Sequence, residues 1–123
     1  SKEVVDLEDI KMPVETTEGM DPDSIKNIIY AGESNIVYYL DNRYHLSLPV
    51  PVYLAQGGGK VVVDIVVNRQ GRVTQATARK NPSIRDEQIF LYAQVAASRT
   101  VFNTDFSAPA QQKGTIEYSF IAQ

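Results

Sequence analysis

Few of the residue types that carry out chemistry are present in this 123-residue chain. It has no cysteine, no tryptophan and a single histidine, His45. These absences exclude thiolate zinc sites, cysteine nucleophiles and any site that needs two imidazoles. His45 stands beside Tyr44 in no motif that would make it a metal ligand or a general base, so we expect a structural or surface histidine.

Three further features could support catalysis or nucleotide binding, and each has a simpler explanation. Asp64 lies among the valines of an alternating segment, on the face that we expect to be exposed. Asp86 and Glu87 are adjacent carboxylates in the first turn of a predicted helix, where capping and the helix dipole account for them. Residues 57–59 are glycines, but they precede a predicted strand, whereas phosphate-binding loops follow a strand and open a helix. We therefore predict no enzymatic activity, no cofactor and no metal site.

Two other clusters could contact a partner. Five cations near the second predicted hairpin could bind nucleic acid, anionic lipid or an acidic peptide; they are Arg69, Arg72, Arg79, Lys80 and Arg85. Solvation is the commoner role of charge at turns, and a formal net charge of −3 argues against phosphate-dominated binding of nucleic acid. Five of the seven tyrosines fall between residues 30 and 53, where a recognition surface and a small mixed core explain them equally well.

Charge divides the chain into two parts. Residues 1–33 carry nine acids against three lysines, a net charge of −6, and residues 34–123 carry a net charge of +3. We expect an acidic linker or N-terminal segment over 1–33, with a short helix near 22–31, and one domain over 34–123. No apolar run approaches the ~20 residues that span a bilayer. Ser1 as the first residue suggests a processed or truncated product.

Alternation predicts a β-hairpin at the start of the domain. Apolar residues alternate on both sides of Asp41-Asn42, a pair that tolerates the positive φ of a tight turn. Residues 48–53 contain two prolines and are therefore predicted to be an extended crossing segment rather than an interior strand.

The remaining elements are a second hairpin, a helix and a last strand. Residues 60–80 alternate around a turn at 68–71, residues 83–100 carry an apolar stripe behind a possible capping box, and residues 115–122 alternate again. The expected fold is α+β: a three-stranded antiparallel sheet with one main helix packed on it, preceded by the extra β-hairpin and the short helix.

The last predicted strand has no proline or charge run that would protect it as a sheet edge. An unpaired strand offers its N–H and C=O groups to a strand of another chain, the mode of binding called β-augmentation. Exchange of this strand between two copies, giving a homodimer, would satisfy the same edge.

These stretches resemble the C-terminal domain of TonB-type energy transducers. The resemblance rests on Leu-Pro-Val-Pro-Val-Tyr at 48–53, on the hairpin 59–73, on an alanine-rich helix leading to Phe102, and on the closing segment 113–120. It covers about residues 48–122. The residues just before the last strand, 112–116, are similar to those of divergent TonB-like proteins common in Bacteroidetes.

The resemblance implies a non-enzymatic periplasmic domain, anchored to the inner membrane in the full-length protein, that couples proton-motive force to transport by outer-membrane receptors. In that family the TonB-box peptide of the receptor adds as a strand beside the final strand. Carried onto this chain, the partner-binding residues are Thr115, Ile116, Glu117, Tyr118, Ser119, Phe120 and Ile121.

A second set of partners and one alternative function also remain as expectations. The resemblance implies inner-membrane proton-channel proteins as partners of a segment outside this chain. The alternative to a transducer is a periplasmic sensor or interaction domain of a signalling or peptidase-type membrane protein.

Overall fold

A computed structural model describes residues 14–16, 29–31, 36–51 and 59–120. Within them the chain forms eight strands and one helix: β1 Val14–Thr16, β2 Ile29–Ala31, β3 Ile36–Tyr39, β4 His45–Pro49, β5 Gly59–Val67, β6 Val73–Ala78, α1 Gln88–Ser98, β7 Val101–Phe102 and β8 Gln112–Phe120. All strand pairs are antiparallel. The predicted α+β class, with antiparallel pairing and one main helix, is therefore confirmed for the described part of the chain.

The strands form two sheets rather than one. The larger has the order β2-β3-β8-β5-β6 and the smaller the order β1-β4-β7. The predicted three-stranded sheet of β5, β6 and β8 is present, but β3 pairs with β8 and β2 pairs with β3. The prediction of three strands is therefore wrong in number, because residues before the second hairpin extend the sheet at the side of β8.

The second predicted hairpin is confirmed as β5 and β6. The residues at positions 61, 63, 65 and 67 alternate onto a buried face that is at most 2% exposed. At the turn, Gly71 has a φ of +89°, and its N–H donates to the Asn68 carbonyl at 3.0 Å. A Cβ at Gly71 would overlap the Phe102 carbonyl, so both the conformation and the space require glycine there.

The first predicted hairpin is wrong in its pairing. The turn lies at Asp41-Asn42 as expected, and Asn42 has a φ of +59°, but β3 and β4 then separate into different sheets. β4 is the central strand of the smaller sheet, so the exclusion of 48–53 from an interior strand fails for Leu48 and Pro49. Pro49 is tolerated because it pairs with Val14 alone, since the pairing of β4 with β7 stops at Ser47.

The acidic segment also enters the fold. The short helix predicted near 22–31 is contradicted at Ile29–Ala31, which is strand β2 and pairs with residues 37–39; residues 22–28 lie outside the described part of the chain. Val14–Thr16 pairs with β4 in the other sheet. Residues 1–33 thus contribute a strand to each sheet.

Helix α1 begins later than its sequence predicts. Ser83 does not cap it; the Ser83 hydroxyl donates to Asn81 Oδ1 at 2.7 Å. The carboxylate of Asp86 instead accepts the backbone N–H of Gln88 at 3.1 Å, which satisfies one of the free donors of the first turn. The predicted apolar stripe is confirmed, since Ile89 and Ala93 are completely buried where α1 packs over β5 and β6.

Tyr38 joins the two sheets in the core. Its ring meets Phe102 of β7 edge-on at 5.2 Å between centroids, and its hydroxyl lies 3.0 Å from His45 Nδ1 of β4. The His45 backbone N–H donates to the same hydroxyl at 3.1 Å. Tyr38 of the larger sheet therefore contacts both β4 and β7 of the smaller sheet.

Two buried tyrosines give a matched test of this packing. We expect Tyr38→Phe to lower the free energy of unfolding by about 1–3 kcal/mol, because two polar groups of His45 lose their partner in the core. Tyr118→Phe is expected to cost clearly less than Tyr38→Phe, since the completely buried Tyr118 hydroxyl makes no hydrogen bond of good geometry and only lies near the Thr100 hydroxyl. Urea unfolding of the two variants measures the difference. An equal loss in the free energy of unfolding for both would contradict the stabilising role of the hydrogen bonds between Tyr38 and His45.

Candidate functional site

The predicted partner-binding strand is not at the edge of the sheet. β8 pairs with β5 along its whole length, and Thr115–Tyr118 pairs with β3 on the other side. The expectation of an unpaired last strand is therefore wrong over 115–118. Ile121 lies outside the described residues, and partner binding by 115–121 stays a prediction.

The backbone groups that a partner would need are already used. The Arg79 N–H donates to the Val62 carbonyl at 2.8 Å. Because hydrogen-bonded residues alternate in an antiparallel pair, Val62 and every second residue after it in β5 are bonded to β6. The intervening residues of β5 bond to β8, so in β8 the groups of Thr115 and Glu117 point to the opposite side. There they meet Tyr39 and Val37 of β3.

The side chains of the predicted site divide between the core and the other face of the sheet. Ile116, Tyr118 and Phe120 are buried, and burial raises the pKa of the Tyr118 hydroxyl well above its usual value, although the nearby Thr100 hydroxyl opposes part of the rise. Glu117 is half-buried on the opposite face and forms an ion pair with Lys60 at 3.4 Å. The apolar side chains of 115–120 thus hold the fold together.

A glycine allows β3 to lie against β8. A Cβ at Gly114 would come within 2.5 Å of the Tyr39 carbonyl oxygen and 2.8 Å of Leu40 Cδ1. Any other residue would push the turn after β3 away from β8. From the sequence, Gly114 only opened the last strand, so this signal for a neighbouring strand was present and was missed.

β6 is an edge strand of the same sheet, and within the described residues no strand pairs with its outer side; β2 is the other edge strand. Since Thr77 bonds to β5, the groups of Ala76 and Ala78 point outward. The side chain of Gln94 on α1 accepts the Ala78 N–H at 3.0 Å. Between β6 and α1 lies a groove of about 200 Å³ lined by residues 73–76 together with Gln94, Val95 and Ser98.

Comparisons with known proteins leave this geometry without a named counterpart. No family model, curated protein or solved structure matches the chain. A function must therefore be argued from the residues and their arrangement.

Two titratable residues that could have supported catalysis, His45 and Asp64, have structural partners. His45 is buried against Tyr38. Asp64 accepts two hydrogen bonds from the Arg79 guanidinium, at 2.7 and 2.9 Å, and these lower the pKa of the Asp64 carboxyl. Within the described ranges, no group of three or more His, Cys, Asp and Glu side chains could hold a metal ion, and no helix is long and apolar enough to cross a membrane.

A buried arginine was not predicted from the sequence. Arg43 is completely buried; it donates to the Asn68 carbonyl at 3.1 Å, to Gln112 Oε1 at 3.0 Å and to the Asn103 carbonyl. Burial lowers the pKa of Arg43, and the charge of Asp105 opposes that effect. Its donors connect two loops and the first residue of β8 at one end of the sheet, which is a structural role.

Hydrogen exchange tests which edge is closed. The amides of Thr115 and Glu117 are expected to exchange at least about tenfold more slowly than the outward amide of Ala76, because only the former are held in a ladder on both sides of their strand. The Val63 amide, in the middle of the sheet, is the protected reference. Exchange of Thr115 and Glu117 as fast as that of Ala76 would show that β3 does not close β8.

Proposed function

We propose that this chain is a non-enzymatic periplasmic protein-binding domain of a TonB-like energy transducer. In this role it couples inner-membrane proton-motive force to transport by outer-membrane receptors, and it binds the TonB-box peptide of the receptor by β-strand addition. The observation that carries the proposal is a sheet edge whose outward backbone groups face a groove against α1. Strand addition needs such groups for affinity and neighbouring pockets for selectivity.

The order of elements supports the family part of the proposal. The resemblance concerns a hairpin, a helix and a closing strand, and these form adjacent strands β6, β5 and β8 with α1 packed over β5 and β6. The segment that precedes the hairpin adds β3 and β2 beside β8. In this chain the side of the final strand that the family leaves to the receptor is occupied by its own residues.

Displacement of β3 by a peptide is energetically costly. Ile36, Tyr38 and Leu40 are at most 1% exposed, and each buried side chain of this kind contributes roughly 1.5–3 kcal/mol. Removal of β3 would therefore cost about 5–9 kcal/mol before the ladder is counted. Micromolar binding releases only about 8 kcal/mol. A peptide would have to replace every one of these contacts to bind at β8, whereas an open edge requires no such loss.

A peptide titration tests the proposed function. Isotope-labelled chain is titrated with a TonB-box peptide from an outer-membrane receptor of the same organism, and amide shifts are followed. We expect shifts concentrated on one strand of the larger sheet, together with slower exchange of its outward amides, because the peptide pairs with that strand.

The control peptide has the same composition with proline at alternate positions. It lacks the backbone donors that a ladder requires, so it is expected not to bind. An absence of shifts at millimolar TonB-box peptide, or equal shifts with both peptides, would reject strand addition as the function.

A further inference from the structure

We infer that the receiving edge is β6, and that it takes an extended segment of a partner protein with acidic residues towards both ends. The inference rests on the proposed strand addition and adds the place of binding and the chemistry of the partner. Three features of the described residues support this inference. They are the outward N–H and C=O groups of β6, the side chains that line the groove, and the cations that flank β6.

The outward backbone of β6 can pair over a short stretch. The register of β5 and β6 shifts so that Val67 pairs with Val73 while Val66 pairs with Gln75, which leaves Thr74 as the extra residue of a bulge. Beyond the bulge the strand is regular to Ala78. A partner strand can therefore reach the N–H and C=O groups of Ala76 and the C=O of Ala78, whose N–H is held by Gln94.

Gln94 occupies the place of a partner carbonyl. Its side-chain oxygen accepts the Ala78 N–H as a paired strand would, which is one way in which a fold protects an exposed edge. Gln94 itself is exposed, so its side chain can move away without a loss of core packing. We expect the incoming peptide to take over this hydrogen bond.

The groove favours small or branched apolar side chains. Its lining is uncharged, with Val73, Ala76 and Val95 as the apolar members. Side chains of an added strand alternate between the two faces of the sheet. Every second side chain of the partner would therefore enter the space between β6 and α1, and the others would face solvent.

Cations flank β6 at both of its ends. β6 and α1 run in opposite directions, since Ala78 meets Gln94 while Arg72 bridges to Val101 beyond the end of the helix. Exposed Arg72 lies at one end, and exposed Arg79 and Lys80 lie at the other. Arg79 is paired with Asp64, and Lys80 lies over the Phe90 ring at 4.9 Å. The distance from residue 72 to residue 80 suits an extended peptide of about nine residues.

The test uses three synthetic peptides of about nine residues. The first has glutamates at both ends and alternating valine and threonine between them; the second has lysines at the ends; the third repeats the first with proline at alternate positions. With the full chain, the acidic peptide is expected to shift the amides of residues 75–79 and the Gln94 side-chain amide. The lysine peptide is expected to bind about tenfold more weakly, and the proline peptide not at all.

Reversal of the charges that flank β6 distinguishes charge complementarity from non-specific peptide binding. In the double variant Arg72→Glu with Lys80→Glu, the acidic peptide should lose about tenfold in affinity and the lysine peptide should gain a similar factor. Unchanged affinities would overturn the acidic character of the partner.

A backbone variant tests the position of the added strand. Ala76→Pro removes an N–H that points away from β5, so no hydrogen bond of the ladder is lost, and we expect it to abolish peptide binding. Ala76→Ser keeps the N–H and should bind normally, and amide spectra of both variants report whether the fold is intact. Normal binding by a folded Ala76→Pro chain would overturn the placement at β6.

The pattern of shifts distinguishes the two proposals. Shifts confined to residues 36–39 and 115–118 would overturn β6 as the receiving edge and leave strand addition standing. Shifts nowhere, with all three peptides and with the TonB-box peptide, would overturn both. Slow exchange of the Ala76 amide in the chain without peptide would mean that the outer side of β6 is already covered, and would overturn β6 as the receiving edge.

Discussion

The structure depends on one constraint: strand β8 lies inside a sheet, and the polar groups of its backbone must be paired on both sides. β5 satisfies one side and β3 the other, because a buried N–H or C=O without a partner is costly. Once β3 holds that position, Tyr38 and Leu40 enter the core, and the chain must turn at Asp41-Asn42 into the smaller sheet. Within the described residues, the edge strands of this sheet are then β6 and β2.

The polar groups at one end of the fold follow from this arrangement. Arg43 comes directly after the turn that leaves β3, and its buried guanidinium binds acceptors from the β5–β6 turn, from the loop after β7 and from the first residue of β8. Gln112 in turn donates to the Asp41 carbonyl at 2.8 Å. The return from one sheet to the other is therefore fixed by hydrogen bonds, while the two sheets pack through the rings of Tyr38 and Phe102.

The sequence predicts strands well where one face is buried and does not predict their partners. The period of two in residues 61–67 identified β5 and its buried face, since alternation reports burial directly. The same signal around Asp41-Asn42 identified two strands and the turn, but alternation carries no information on which strands pair, and the hairpin was therefore wrong. The exclusion of Pro49 from an interior strand was wrong for a related reason. A proline is incompatible with pairing on both sides, and whether a second strand pairs with Pro49 depends on the length of β7.

The candidate edge at β6 was not identified from the sequence. The reasoning that an unprotected strand edge can receive a partner applies equally to β6, whose outward groups, groove and flanking cations come together only in the folded chain. The five cations could be identified from the sequence, although their division between the two ends of a groove could not, because it depends on how α1 lies beside β6. The contact of Gln94 with β6 could not be predicted, since nothing in the sequence of a helix shows which strand one of its glutamines contacts.

A chemical lock on β3 tests the central claim most directly. The chain has no cysteine, so Val37→Cys with Glu117→Cys places two thiols on directly paired residues, about 5.5 Å apart between Cα atoms, where a short bifunctional thiol reagent can join them. With β3 locked to β8, the affinity for the acidic peptide should stay within about twofold of that of the same variant before cross-linking, because β6 receives the peptide. Loss of binding on cross-linking alone would contradict this, and would assign the receiving edge to β8.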